Sequence, residues 1–344
     1  MKTSLTPFEL SLSTPLRTSA GRIDGRRGWV LRAGSDPMGF GEATPLAGFT
    51  EDRSSCERAL HRAIDHVEDG DIPAAYESVT GTPAARNALS TALLDRDARH
   101  AGRPLYRELG AERAVERLPV QATIGDGDPT ATAETARTAV DEGFQTLKIK
   151  VGAGSLDRDV SRLESVRMTV GTTVTIRVDA NGSWGRATAT DAIDRFREYD
   201  VALVEQPLPP ADLVGHRNLR GRLPIALDES LLEASPESIF ETAAADALVL
   251  KPMALGGPDV ARAIAVRALE NDIDVIVSNT IDGTIGRTAA VHLAASLPER
   301  TASGLATASM LETDLAPDPA PVSAGRIAVP QAPGIGITEV TIDA

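Results

Sequence analysis

Lysine is nearly missing from this chain. Of its 35 basic residues only Lys2, Lys148, Lys150 and Lys251 are lysine, and the other 31 are arginine. Cysteine occurs once, at Cys56, which excludes an internal disulfide framework and any cysteine-rich metal site. Aromatic residues make up 3% of the sequence, so the core has to be assembled from Ala, Val, Leu and Ile, as in closely packed α/β layers. No uninterrupted apolar run approaches the ~20 residues of a membrane span, and the opening MKTSLTPFELSLS lacks the apolar stretch of a signal peptide. The expectation is a soluble, cytoplasmic chain with no membrane partner. Positive charge is also short, with 35 basic against 49 acidic residues and a net charge of −14, which argues against nucleic acid as a partner. An acidic surface almost free of lysine predicts a halophilic protein, working where salt screens the excess charge, although a GC-rich coding sequence would favour arginine as well.

What is present has a clear order. At 344 residues the chain is about twice the ~150 typical of one domain, so two domains or one barrel with additions is expected. Alternating runs at 8–13 and 29–32 read as antiparallel strands joined through a turn-rich stretch at 19–28, and helical patterns follow at 51–68 and 84–99. From about residue 118 short apolar runs alternate with amphipathic helices, at 120–124, 146–151, 174–178, 202–204, 223–227, 247–250, 274–277 and, weakly, 303–305. The polar residues closing runs two to six are Lys150, Asp179, Glu205, Asp228 and Lys251, at intervals of 29, 26, 23 and 23 residues. That spacing accommodates a strand, a helix and two loops, repeated. Eight runs without a glycine fingerprint after the first predict an α/β fold, a modified (β/α)8 TIM-type barrel. The expected division is an α+β capping domain at 1–117, the barrel at 118–318, and a Pro- and Gly-rich return segment at 319–344, ending in Glu339-Val340-Thr341-Ile342, that packs on the cap. Homo-oligomerisation is compatible with such a fold.

In a parallel barrel the carboxyl ends of the strands share one face, so these residues converge. A single acid at a strand end reads as a cap for the next helix. Asp179, Glu205 and Asp228, from three successive strands and without histidine or thiol beside them, read as an all-oxygen site for Mg²⁺, or Mn²⁺ in its place. Lys148 and Lys150 lie two apart and project to one side, and Lys251 comes from across the barrel. An unperturbed lysine is a poor base, but a second ammonium and a divalent cation both favour the neutral amine. The arrangement predicts proton abstraction next to the carboxylate of a small-molecule substrate, with Lys148, Lys150 and Lys251 as catalytic residues. Arginine cannot replace a lysine base, because it does not readily lose a proton.

Together Lys148-Ile149-Lys150, Val178-Asp179-Ala180-Asn181, Val204-Glu205-Gln206-Pro207, Leu227-Asp228-Glu229-Ser230 and Val249-Leu250-Lys251-Pro252 resemble the muconate-lactonizing subgroup of the enolase superfamily. Residues 41–49, GEATPLAGF, resemble that family's capping loop. Within the subgroup this loop, SNTIDGTIG at 278–286 and SGLAT at 303–307 are most similar to the o-succinylbenzoate synthase family. The resemblance implies syn dehydration of 2-succinyl-6-hydroxy-2,4-cyclohexadiene-1-carboxylate, with Lys150 as base and then acid and Lys251 as the cation opposing the enediolate. It further implies substrate contacts from Arg177, Ser278, Asn279, Thr280, Gly304, Leu305 and Thr307, support of the metal ligands by Asn181 and Glu229, and substrate selection by cap loops at 19–22 and 46–50. A buried structural role for Arg177 is an equal expectation. Asn279 and Asp282 depart from the serine and glutamate common in the family.

Two other readings stay open. A dipeptide epimerase or N-acylamino acid racemase would use Lys150 and Lys251 as opposed bases; dipeptide epimerases typically carry an Asp-x-Asp pair after strand eight, which Glu312-Thr313-Asp314 matches imperfectly. A non-catalytic barrel would only bind a carboxylate or a partner. Gly256-Gly257 is a candidate carboxylate cradle, whereas Gly152 and Gly154 read as turn glycines. His61, His66, His100, His216 and His292 form no cluster, and Cys56 reads as a packing residue.

Overall fold

The computed structural model describes residues 1–18, 21–298 and 301–341. Its amino-terminal layer is an antiparallel sheet of β1 (Thr3–Thr18), β2 (Gly21–Gly34) and β3 (Met38–Ala43), in that spatial order. Both expected strands lie inside β1 and β2. Residues 21–28, expected as a turn, are extended instead. Their glycines mark close backbone approach: a Cβ at Gly25 would stand 2.7 Å from the Leu10 carbonyl oxygen, and one at Gly28 would stand 2.1 Å from that of Ala43. Ser19 and Ala20 of the predicted cap loop lie outside the described residues. The strand β3 was not expected. Its Gly39 and Gly41 leave room for helix Pro83–His100 to lie directly on the strand backbone, since a Cβ at either would come within about 2 Å of the Ala92 or Ala88 carbonyl oxygen. Helix Arg53–Asp69 begins where Asp52 accepts the Ser55 amide and stops at Gly70, whose φ of 85° glycine takes without strain. Cys56 is buried in that helix among Trp29, Leu31, Leu60 and Leu89.

After β4 (Arg117–Pro119) come β5 (Ala122–Ile124), β6 (Thr146–Lys150), β7 (Thr175–Asp179), β8 (Val201–Glu205), β9 (Ile225–Leu227), β10 (Ala247–Leu250) and β11 (Asp274–Val277). The seven from β5 to β11 form one parallel sheet in sequence order. Helices lie between successive strands, such as Pro129–Asp141, Leu156–Val170 and Pro258–Glu270, with buried Ala, Val and Leu facing the sheet. The weak eighth run closes the ring with two residues. Ser303 bridges Val120 and Gly304 bridges Ser278, through Gln121 N–H to Ser303 O (2.9 Å) and Gly304 N–H to Val277 O (2.8 Å). Glycine is needed at 304, where a Cβ would stand 2.6 Å from Ser278 Oγ.

The return segment does not pack on the cap alone. Its first part, β12 (Val322–Ser323) and β13 (Arg326–Ala328), pairs antiparallel with β4 beneath the amino-terminal end of the barrel. Its second part reaches the cap, where the Ile335 amide donates to Asp95 Oδ1 (2.7 Å) and Ile335 and Ile337 join Phe8, Phe40 and Leu105 in one core. Residues 339–341 have no regular secondary structure, and Ile342 lies outside the described residues. Among the described residues no helix is long and apolar enough to cross a membrane.

Candidate active site

Parallel register brings the strand ends together. Lys150 pairs with Asp179 across β6 and β7, and Asp179 with Glu205 across β7 and β8, while Asp228 follows the end of β9. All three carboxylates are buried. The Lys148 ammonium donates to Asp179 Oδ2 and Glu205 Oε1, both at 2.9 Å, and Lys150 donates to Asp179 Oδ2 (2.7 Å) and Asn181 Oδ1 (2.8 Å). Across the barrel Lys251 donates to Asp228 Oδ2 at 2.5 Å. The three lysines differ in access. The Lys150 side chain is 35% exposed, against 10% for Lys148 and 12% for Lys251, so Lys150 presents the most open amine.

Burial disfavours charge on Lys148, Lys251 and the three carboxylates, and their partners decide the outcome. Lys148 is held protonated well above the usual lysine range because Asp179 and Glu205 outweigh its desolvation. Asp179 lies far below the usual carboxylate range for the reciprocal reason, facing two ammoniums. Glu205 is pushed up to about 7 by burial and by Asp179, and Asp228 to about 6 by burial that Lys251 only partly offsets. Three carboxylates thus face three ammoniums, and Glu229 is a fourth acid beside them: its Oε1 accepts from Asn181 Nδ2 (2.9 Å) while its buried Oε2 has no hydrogen-bond partner. An all-oxygen donor set from three consecutive strands, beside an orphaned carboxylate oxygen, fits a hard dication such as Mg²⁺. Among the described residues no three acids are grouped closely enough to share an ion as they stand, and Lys148 and Lys251 hydrogen-bond oxygens of all three.

The other sequence-derived candidates divide. Phe49 of the cap loop lies over the mouth, its ring centroid 4.2 Å from the Lys251 nitrogen, so the 46–50 segment faces the lysine–carboxylate cluster. Asn279 Nδ2 donates to Thr307 Oγ1 (2.8 Å) and ties the loops after β11 and the eighth strand position together. Ser278 Oγ reaches Gly304 O (3.3 Å), and Thr280 Oγ1 donates to buried Asp282 (2.5 Å). Arg177 takes the structural one of its two expected roles: its guanidinium donates to Gln121 Oε1 and Ala302 O, both at 2.8 Å, and stitches the start of β5 to the eighth strand position. Leu305 is a correction, being fully buried in the core between barrel and helices. Gly256 and Gly257 cradle nothing. Both amides donate to Pro252 O, and a Cβ at Gly257 would meet Ser90 of the cap helix at 2.9 Å, so the pair seats the cap.

Some contributors were missed in the sequence. Gln206 holds a left-handed backbone (φ 41°), and its Oε1 accepts the amides of Asp228 (3.0 Å) and Ser230 (3.2 Å), fixing the strand-nine turn that carries Asp228. His216 backs this network by accepting the Leu208 amide (3.3 Å). Glu42 is buried at the seam between cap and barrel and accepts the amides of Gly283 (2.7 Å) and Gly286 (2.8 Å). Polar residues of this kind carry no spacing signal, because their partners are backbone groups distant in sequence.

Comparison with known proteins bears on the family and the fold. Residues 131–340 match the Enolase C-terminal domain-like family. The L-Ala-D/L-Glu epimerase of Bacillus subtilis (strain 168) is 33% identical over 95% of this chain and 93% of its own, and a substrate-liganded structure of that enzyme superposes with a TM-score of 0.90 at 29% identity over 99% of each chain. The o-succinylbenzoate synthase of Thermobifida fusca (strain YX) is 37% identical over 62% of this chain and 67% of its own. A dipeptide epimerase from Enterococcus faecalis V583, complexed with Mg and the dipeptide L-Leu-L-Tyr, has a TM-score of 0.87 at 26% identity, covering 98% of this chain and 99% of the other.

Proposed function

Because this chain belongs to the enolase superfamily and is a Mg²⁺-dependent enzyme of that kind, we propose that it is an o-succinylbenzoate synthase, a carbon–oxygen hydro-lyase. Lys150 removes the proton α to the ring carboxylate of 2-succinyl-6-hydroxy-2,4-cyclohexadiene-1-carboxylate, and the C–H electron pair passes into an enediolate. Collapse of the enediolate expels the neighbouring hydroxyl, which the Lys150 ammonium protonates to water from the same face, leaving the aromatic ring. Lys251, held by Asp228 and the Phe49 ring, opposes the developing negative charge from the far side. Lys148 holds Asp179 ionised and hydrogen-bonds Glu205 beside it. A divalent ion held by Asp179, Glu205 and Asp228, Mg²⁺ or Mn²⁺ in its place, would supply the Lewis acid that neutralises the substrate carboxylate. The Phe49 loop shields this chemistry from water.

One observation carries the choice of synthase over dipeptide epimerase. A dipeptide's ammonium would be met by an acidic pair, and Asp314 commits its Oδ1 to the amides of Thr284 (2.6 Å), at the start of helix Thr284–Ser296, and Leu315 (2.8 Å), so it serves the backbone first. Glu312 is exposed. Racemisation of N-acylamino acids, which carry no ammonium, is the second reading, favoured by lysines on strands two and six of an eight-membered ring.

The test is turnover in D₂O with Mg²⁺, offering the cyclohexadiene carboxylate, N-succinylamino acids and dipeptides separately. Aromatic product is expected from the first, with a loss of roughly 10³-fold or more in Lys150→Ala while Mg²⁺ binding persists. Rapid α-deuteration of amino-acid derivatives without diene turnover would replace the synthase by a racemase or epimerase.

A further inference from the structure

Behind Lys150 lies a buried ion pair that neither the metal nor the substrate chemistry uses. Arg162 and Asp159, on helix Leu156–Val170, have side chains 0% and 1% exposed, with Arg162 Nη1 3.0 Å from Asp159 Oδ1. Burying such a pair is costly and adds little to stability by comparison with apolar residues of the same volume. Its contacts show where that cost is spent. Arg162 donates from Nη1 to the Lys150 carbonyl (2.7 Å), from Nη2 to the Gly125 carbonyl (2.8 Å) and from Nε to Thr132 Oγ1 (3.1 Å). Asp159 Oδ2 accepts the Gly152 amide at 2.7 Å.

These contacts sit where the sheet stops. The β5–β6 ladder ends at the pair Ile124 and Ile149, one residue short of Lys150. Beyond that pair the Lys150 carbonyl has no strand partner on the β5 side, and the guanidinium spans the gap from Lys150 to Gly125. The backbone at the lysine and just after it is therefore held twice, by Arg162 at residue 150 and by Asp159 at residue 152. On the other side the Val151 amide donates to the Asp179 carbonyl (2.9 Å).

We propose that Arg162 and Asp159 are positioning residues for the base, fixing the end of β6 so that the Lys150 amine stays aimed into the mouth. This rests on Lys150 being the base. Misplacing a reacting group by about 1 Å can cost about 10²-fold in rate, whereas Asp179, Glu205 and Asp228 stand on strands that Arg162 does not touch.

Two variants and two readouts test it. In Arg162→Gln the kcat is expected to fall about 100-fold, and in Asp159→Asn, which leaves the guanidinium in place, roughly tenfold. KM and the Mg²⁺ binding midpoint should each change by less than about threefold. The second readout needs no substrate. With four lysines in the chain, selectively ¹³C-labelled lysine gives a spectrum of four side chains, in which Lys150 should shift most, Lys148 less through their shared Asp179 oxygen, and Lys2 and Lys251 not at all. Should Arg162→Gln not fold, Asp159→Asn decides alone. Unchanged kcat and an unmoved Lys150 signal in a folded variant would overturn the proposal, as would equal losses in kcat, KM and Mg²⁺ binding with all four signals displaced. A wild type without synthase turnover would remove the substrate assignment, while the lysine spectrum would still decide on the clamp.

Discussion

His292 is an imidazole kept neutral by its surroundings. Its ring stacks on Tyr106 with centroids 5.9 Å apart, Nδ1 accepts the Tyr106 amide (3.2 Å), and Nε2 has no hydrogen-bond partner. Burial pushes its pKa down from 6.5 to about 4. Between these values the unfolded chain binds a proton that the folded protein does not, so stability falls as pH drops through this window, by about 3 kcal/mol in total. Glu42 contributes with the opposite sign, because burial and Asp282 raise its carboxyl to about 7 and acid therefore favours the folded form. Comparison with His292→Gln isolates the histidine. Urea midpoints measured from pH 7 to pH 4 should fall more steeply for wild type than for the variant, and parallel curves would refute the assignment. At this same scale the lysines were legible beforehand: three of four lie at two strand ends, and all three bind carboxylates at the mouth. Arg177 was only half legible. Alternation put it on the same side as Asp179, but one layer deeper, where a carbonyl and an amide oxygen take its hydrogen bonds.

Elements were legible where period and caps agreed. The helices expected at 51–68 and 84–99 are found at Arg53–Asp69 and Pro83–His100, and the barrel runs mark their strands to within two residues. The strand β3 was hidden because its glycines, which weaken strand propensity, are there for contact with a helix. Gly41→Ala would put a Cβ 1.9 Å from the Ala88 carbonyl oxygen, so strand and helix must part. A loss of about 1–3 kcal/mol is expected from urea unfolding. Gly127→Ala is the control: a Cβ there meets nothing closer than 3.4 Å, and a change within about 0.5 kcal/mol is expected. Equal behaviour of the two variants would mean that cap packing does not depend on this approach.

For the whole molecule the decisive quantity is a net charge of −14. Exposed pairs such as Arg27–Glu9 and Arg222–Asp194 each contribute little, so the expectation is that repulsion from the acidic excess outweighs them. Raising KCl from about 0.1 to 1 M shortens the screening length from about 10 to about 3 Å. The melting temperature should therefore rise by several degrees; a flat or falling curve would show that the surface pairs matter more than the excess charge.

The sequence alone determined the eight-fold alternation, the polar residue closing each strand and the few lysines among many arginines. Covalent order suffices for these, since parallel strands at regular intervals bring their ends to one face whatever the packing in detail. Only the tertiary structure decided which side chains meet there. Phe49 over Lys251, Glu42 on the amides of Gly283 and Gly286, and Arg162 between the carbonyls of Lys150 and Gly125 join groups far apart in the chain. Such contacts depend on where the folded backbone leaves a hydrogen-bonding group unpaired within reach of a side chain, and spacing along the sequence carries no record of that.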